Sequence, residues 1–250
     1  MTLRTHLDGA IFAEHLSGRA PTILALHGWG RDRRDLLDAL AGRQVVSLDL
    51  PGFGASPAPG EPWGAARYAA EVARLLGHGG LGPVLVVGHS FGGRVAAHLA
   101  ADHPHLVSGG VFAGAPLLRI TPSSAAPLPY RAVRRLRRMR LVPESVLDSM
   151  RRRYGSADYQ AAAGIMRDVL VTLVNEDYRD QLAAIECPVG FCWGADDTAA
   201  RPEIARQAAE MVPRCVALDI VDGVGHDVHR VAPDRLDAVI DQVSVGGGPS

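Results

Sequence analysis

Ser90 stands between two glycines in Gly88-His89-Ser90-Phe91-Gly92, behind the aliphatic run Val84-Leu85-Val86-Val87 and ahead of the Ala-rich segment Arg94 to Ala101. A serine in Gly-x-Ser-x-Gly between a strand and a helix is pushed out at the strand end, because larger flanking side chains would crowd the turn. Such a serine is a candidate nucleophile. The plain alternative is a strand-to-helix turn in which Ser90 is an N-cap. A serine hydroxyl is not ionised at neutral pH, so it needs a base in contact and an acid to orient that base. His226 is the only one of ten histidines in a Gly-flanked loop directly after a late strand pattern, within Gly223-Val224-Gly225-His226. Asp196 and Asp197 follow the apolar run that ends at Trp193-Gly194, and Asp197, three residues past Gly194, is the preferred acid. The loop after the preceding strand reads Ala113-Gly114-Ala115-Pro116 and holds no carboxylate.

Acyl transfer also needs fixed donors for the charge that develops on a carbonyl oxygen. The Phe91 N–H at the helix start is one candidate. The Trp29 N–H, within His27-Gly28-Trp29-Gly30, is the other, with glycines that let the loop bend over Ser90. The alternative for that loop is an ordinary turn with Trp29 filling core. His27 is expected to be structural. His89 is expected to pack beside the turn and is carried as a candidate substrate contact, with Leu117, Met150 and Met166.

The elements that must position these groups follow from periodicity. A two-residue hairpin signal, Asp8-Gly9, separates residues 2–7 from 10–17. Strands are expected over 22–26, 44–48, 84–87, 106–112, 189–193 and 216–220, and helices over 33–40, 65–76, 94–101, 202–211 and 233–243. Alternating strands and helices imply a mostly parallel sheet covered on both faces. From Pro116 to about Asp180 the alternation stops, and amphipathic helical patterns take over at 130–141, from Val146 to Tyr154, and at 159–174. Such an insertion is expected to cap the carboxyl edge of the sheet and to line an apolar pocket.

Composition bounds the rest. The 250 residues are 47% hydrophobic and 21% charged, as in a globular protein with one large core. No apolar run approaches the length of a membrane span, and no secretory leader pattern opens the chain, so a cytoplasmic location is the expectation. Cys187, Cys192 and Cys215 fit no metal-binding spacing and are expected as reduced thiols, at least two of them in buried strand positions. Neither a metal nor another cofactor is implied. Residues 131–153 hold nine arginines against Glu144 and Asp148, a net +7 in a chain whose overall charge is −1. Such a segment reads either as a solvated face or as a dock for an acidic partner, such as an acyl carrier protein or a coenzyme A phosphate. Nucleic acid is disfavoured, because no stacking aromatics accompany the charge.

Five segments, His27-Gly28-Trp29-Gly30, Asp49-Leu50-Pro51-Gly52-Phe53-Gly54, Gly88 to Gly93, Gly194 to Asp197 and Gly225-His226, fall in order at expected strand ends. Together they resemble the α/β-hydrolase superfamily, whose order of Ser, Asp and His they share. Within it, the chain resembles small carboxylesterases of the pimeloyl-acyl carrier protein methyl ester esterase type. It departs from them at His89, where those esterases carry Trp. The resemblance implies an α/β-hydrolase fold with a mostly parallel eight-stranded sheet flanked by helices. The core would comprise 1–115 and 181–245, with a helical cap at 116–180 after the sixth strand and a disordered tail at 246–250. The function it implies is hydrolysis of a small-molecule carboxylic ester or thioester through an acyl-enzyme formed by Ser90, His226 and Asp197. The rivals are a C–C bond hydrolase or lyase on the same residues, and a slow-turnover ligand receptor.

Overall fold

A computed structural model describes residues 2–7, 9–15, 22–119, 135, 136, 139, 141–143, 146 and 157–246. Strands β1 (Thr2–His6), β2 (Ile11–His15), β3 (Ile23–Leu26), β4 (Val45–Asp49), β5 (Val84–His89), β6 (Val107–Ala113), β7 (Val189–Gly194) and β8 (Cys215–Val221) form one sheet. Its order is β1-β2-β4-β3-β5-β6-β7-β8. The first two strands pair antiparallel, β2 also runs antiparallel to β4, and the remaining ladders are parallel. All the parallel strands therefore end on one edge of the sheet.

Side-chain alternation explains why the sheet is covered on both faces. Leu24, Leu26, Val84 and Val86 enter one core cluster, while Ile23, Ala25, Leu85 and Val87 enter the other. The first face is covered by α1 (Ala65–Gly79), α2 (Phe91–Asp102) and α6 (Pro202–Met211), the second by α8 (Pro233–Gly246). Between β6 and β7 the described residues contain α3 (Ala157–Ala161), α4 (Gly164–Leu173) and α5 (Arg179–Ala184), and no strand. A short helix α7 (Val228–Val231) precedes α8. Most residues of the helices expected at 130–141 and from Val146 to Tyr154, most of the arginine-rich segment, and Met150 lie outside the described residues.

Four expectations need correction. Residues 33–40 form successive turns rather than a helix. Asp35, Leu37 and Ala41 each bond back three residues, and the Arg33 and Arg34 N–H groups go to the carboxylates of Asp49 and Asp32, so the segment is held by tight turns and side-chain acceptors instead of a run of four-residue helical bonds. The single helix expected over 159–174 is broken at Ala162-Ala163, because Ala163 is extended and Gly164 adopts φ +53°. Of the three thiols only Cys192 is buried in a strand; Cys187 precedes β7, and Cys215 is exposed on β8, the edge strand. Gly246, placed in the tail by the sequence, ends α8, and its carbonyl accepts a bond of 2.8 Å from Arg214 Nη2.

Candidate active site

Ser90 sits at the junction of β5 and α2 with φ 49° and ψ −111°, a left-side conformation that costs roughly 1–3 kcal/mol in a non-glycine residue. The junction is held from both sides. Ser90 N–H donates to Ala113 O (2.9 Å), Gly92 N–H to His27 O (3.0 Å) and Gly93 N–H to Ser90 O (3.1 Å). Gly92 is in contact with the end of β3: a Cβ there would lie 2.5 Å from Leu26 C and 2.8 Å from His27 O. The glycine spacing around Ser90 thus reflects backbone packed against backbone.

The loops after β7 and β8 bring the other two side chains to the same edge. His226 Nε2 lies 3.0 Å from Ser90 Oγ, and His226 Nδ1 lies 2.8 Å from Asp197 Oδ2. With the Nδ1 proton donated to the carboxylate, Nε2 is the free acceptor facing the hydroxyl. Asp197 is buried, and its Oδ1 accepts the N–H groups of Ala199 and Ala200, both at 2.8 Å. Those bonds fix the orientation of the carboxylate independently of the imidazole. Asp196 is exposed and binds Val224 O only through its backbone N–H. Gly114, at the end of β6, lies directly under the pair: a Cβ there would be 3.1 Å from His226 O and 3.4 Å from Asp197 Oδ2.

Three aromatic rings join the loop after β3 to the serine turn. Trp29 packs edge-on against Phe53 (4.9 Å between centroids) and Phe91 (5.7 Å), and Phe53 lies 5.6 Å from Phe91. His27 is internal, as expected: its Nδ1 bonds Gly28 O at 2.7 Å and its Nε2 accepts Leu50 N–H at 3.0 Å. Burial holds its pKa below the usual histidine value, which suits that acceptor role. The loop 49–56 is organised by Asp49, which is fully buried and accepts Arg33 N–H (2.7 Å), Arg33 Nη1 (2.7 Å) and Ala55 N–H (2.8 Å). Tyr68 Oη donates to Pro51 O at 3.1 Å, tying the loop to α1.

Above this floor, Tyr159, Ala162 and Leu170 form a small cluster against Trp29, so the described helices of the insertion meet the site through the same indole. Met166 packs on Gly52, whose Cβ would fall 2.6 Å from the Met166 methyl. Leu117 is fully buried in the main core, and its carbonyl accepts Tyr178 N–H. His89 packs beside the turn, as expected, and is too buried to serve as the candidate substrate contact. It is 1% exposed, and its Nδ1 bonds Asp35 Oδ2 at 2.9 Å, because the side chain preceding the strained serine is turned inward while Ser90 is turned out. The sequence reading missed Asp35 altogether; the one signal was a carboxylate beside the apolar residues Leu36, Leu37 and Leu40.

Comparison with known proteins agrees with this architecture. In the first three curated relatives the matched stretch spans 25 to 35% of their own length. One is the dihydrolipoyllysine-residue acetyltransferase component of an acetoin cleaving system from Cupriavidus necator, 45% identical over 94 residues, or 36% of this chain and 25% of that one. A pimeloyl-[acyl-carrier protein] methyl ester esterase from Chromobacterium violaceum is 31% identical over 228 residues, covering 82% of this chain and 87% of that enzyme. Among solved structures, the esterase RhEst1 from Rhodococcus sp. ECU1013 superposes with a TM-score of 0.67 at 25% identity, over 98% of this chain and 99% of that one. Residues 23–240, which span the whole parallel sheet and all three of the hydrogen-bonded side chains, match the model of the alpha/beta hydrolase family, and the chain belongs to that family.

Proposed function

We propose that the protein is a serine hydrolase that cleaves a carboxylic ester or thioester through an acyl-enzyme. The observation that carries this reading is the hydrogen-bonded chain from Ser90 Oγ through His226 to Asp197, with distances of 3.0 and 2.8 Å, ending on a serine in a strained turn. Ser90 Oγ attacks the carbonyl carbon as His226 Nε2 takes its proton, and Asp197 orients and stabilises the imidazolium. The N–H groups of Trp29 and Phe91 receive the oxyanion, and the aromatic contacts among Trp29, Phe53 and Phe91 hold the two donors in register. The imidazolium then protonates the leaving alcohol or thiol. In the second half, His226 draws a proton from water, which attacks the acyl carbonyl and restores Ser90. No cofactor enters either half. Met166, which packs on Gly52, is offered as lining for the acyl chain, and Leu117 is offered with it only as a core residue behind that lining.

The test is a pre-steady-state burst of nitrophenol from a p-nitrophenyl ester, expected in the native protein and lost in Ser90→Ala. A burst that persists in Ser90→Ala refutes the assignment. Slow single turnover with a ligand-dependent shift in melting temperature is the result expected of a receptor instead. The Chromobacterium relative takes its name from a carrier-protein ester, and the net +7 of residues 131–153 suits an acidic carrier. Turnover of a carrier-bound ester should fall steeply with salt while that of a p-nitrophenyl ester stays level; parallel salt curves remove the carrier.

A further inference from the structure

Behind the Ser90, His226 and Asp197 side chains lies a second, fully buried carboxylate. Asp35 Oδ2 accepts Gly28 N–H (3.0 Å) and His89 Nδ1–H (2.9 Å), while its Oδ1 accepts His229 Nε2–H and Arg230 Nη2–H, both at 3.2 Å. Arg31 Nη1 lies 3.3 Å from the same Oδ1 and its Nη2 2.6 Å from Asp227, beside His226. Three of these partners adjoin or follow the groups assigned to catalysis. Gly28 precedes Trp29, His89 precedes Ser90, and His229 follows His226 by three residues.

The three segments otherwise belong to separate loops, after β3, β5 and β8. We propose that Asp35 is a positioning residue: one buried carboxylate holds the oxyanion loop, the serine turn and the histidine loop in register, with His89 and His229 as its rigid links. The inference rests on the hydrolase reading. Asp35, His89 and His229 also offer ligand atoms within 4.8 Å of one another, as a metal site would. Two guanidinium groups already share the carboxylate, however, and a divalent cation would have to displace that positive charge.

The charge state supports the arrangement. Burial alone would raise the Asp35 pKa, but the bonds from His229 and His89 hold it well below the usual carboxylate range. Burial pushes His89 down to about 4 against the pull of Asp35, so this imidazole is neutral near pH 7. Its ring lies 4.1 Å from that of His229 and 5.1 Å from that of His226. The charged groups facing it are Asp35 and, 3.9 Å from Nε2, Asp227. A neutral His89 adds no repulsion when His226 takes the serine proton.

The experiment compares wild type, Asp35→Asn, Asp35→Ala and His229→Gln. It reads kcat and KM for p-nitrophenyl acetate, inhibition by phenylboronic acid, which forms a tetrahedral serine adduct, and hydrogen exchange at the Gly28 amide. Displacing reacting groups by about 1 Å costs on the order of 100-fold in rate. Asp35→Ala should therefore lose roughly 100-fold in kcat with KM within about threefold, boronate affinity should fall in parallel, and Gly28 exchange should quicken. Asp35→Asn and His229→Gln should each show the same pattern at about tenfold. If the Asp35 variants do not fold, His229→Gln carries the test. A lower melting temperature with kcat and boronate affinity within about twofold of wild type would overturn the proposal, the allowance being set against the expected 100-fold. A wild type inert to both ester and boronate defeats the hydrolase reading instead; unchanged Gly28 exchange in Asp35→Asn then overturns the positioning role, and faster exchange upholds the register.

Discussion

The glycines flanking the proposed catalytic side chains lead to opposite predictions once their surroundings are known. Gly92 and Gly225 read alike as sequence, each two residues or fewer from a proposed catalytic side chain. A Cβ on Gly92 would meet Leu26 C at 2.5 Å, His27 O at 2.8 Å and Leu26 O closer still, all of them backbone, whereas a Cβ on Gly225 meets nothing within 4 Å. Gly92→Ala must push the end of β3 away from the start of α2 by about an ångström, breaking the Gly92–His27 bond. Overpacking of this kind costs about 3 kcal/mol. For a chain of this size that is a fall in Tm of roughly 6–12 °C. The same movement separates the Trp29 and Phe91 amides, so kcat should drop on the order of 100-fold. Gly225→Ala should change stability by under about 0.5 kcal/mol, as an uncrowded substitution does. The assay is p-nitrophenyl acetate turnover at a temperature where both variants are folded, with Tm from calorimetry. Equal effects in the two variants, or a Gly92→Ala protein with native Tm and kcat, would refute the steric reasoning.

Three further outcomes are expected. Asp197→Asn keeps the shape but can present the wrong tautomer of His226, and kcat should fall about 10,000-fold with KM little changed; a loss under tenfold in steady-state kinetics would contradict the proposed role. Because the folded state lowers the His89 pKa from 6.5 to about 4, the unfolded chain binds that proton more readily, so the stability contribution is complete above pH 6.5 and is lost as the pH falls toward 4. It amounts to about 3 kcal/mol, and urea melts that show no loss between pH 7 and 4.5 would count against it. Burial pushes the Cys192 thiol up to about 12, so at pH 8 a disulfide reagent should leave it unmodified until the protein unfolds, and fast labelling traced to Cys192 by peptide mapping would be the contrary result.

The glycine-bracketed serine, the histidine after a late strand and the acid pair after Trp193 were all legible, because strand ends and turns leave local signatures in composition and period. Short continuous apolar runs placed the parallel strands to within two residues, because a strand covered on both faces carries buried side chains at successive positions. The turns at 33–43 were not legible. Their Leu36, Leu37 and Leu40 spacing is helical, and the bonds that hold the turns include one from Arg33 N–H to Asp49, a side chain 16 residues away that no local pattern announces.

What the sequence by itself determined is the set of side chains at one sheet edge and their order, since these follow from short-range patterns repeated at each strand end. Tertiary structure decided which neighbour of each does what. It put Asp197 rather than Asp196 on His226, through two backbone N–H groups that hold only one of the adjacent carboxylates in place. It also turned His89 inward onto Asp35, a residue 54 positions away, and no local pattern encodes a hydrogen bond that exists only when separate loops meet.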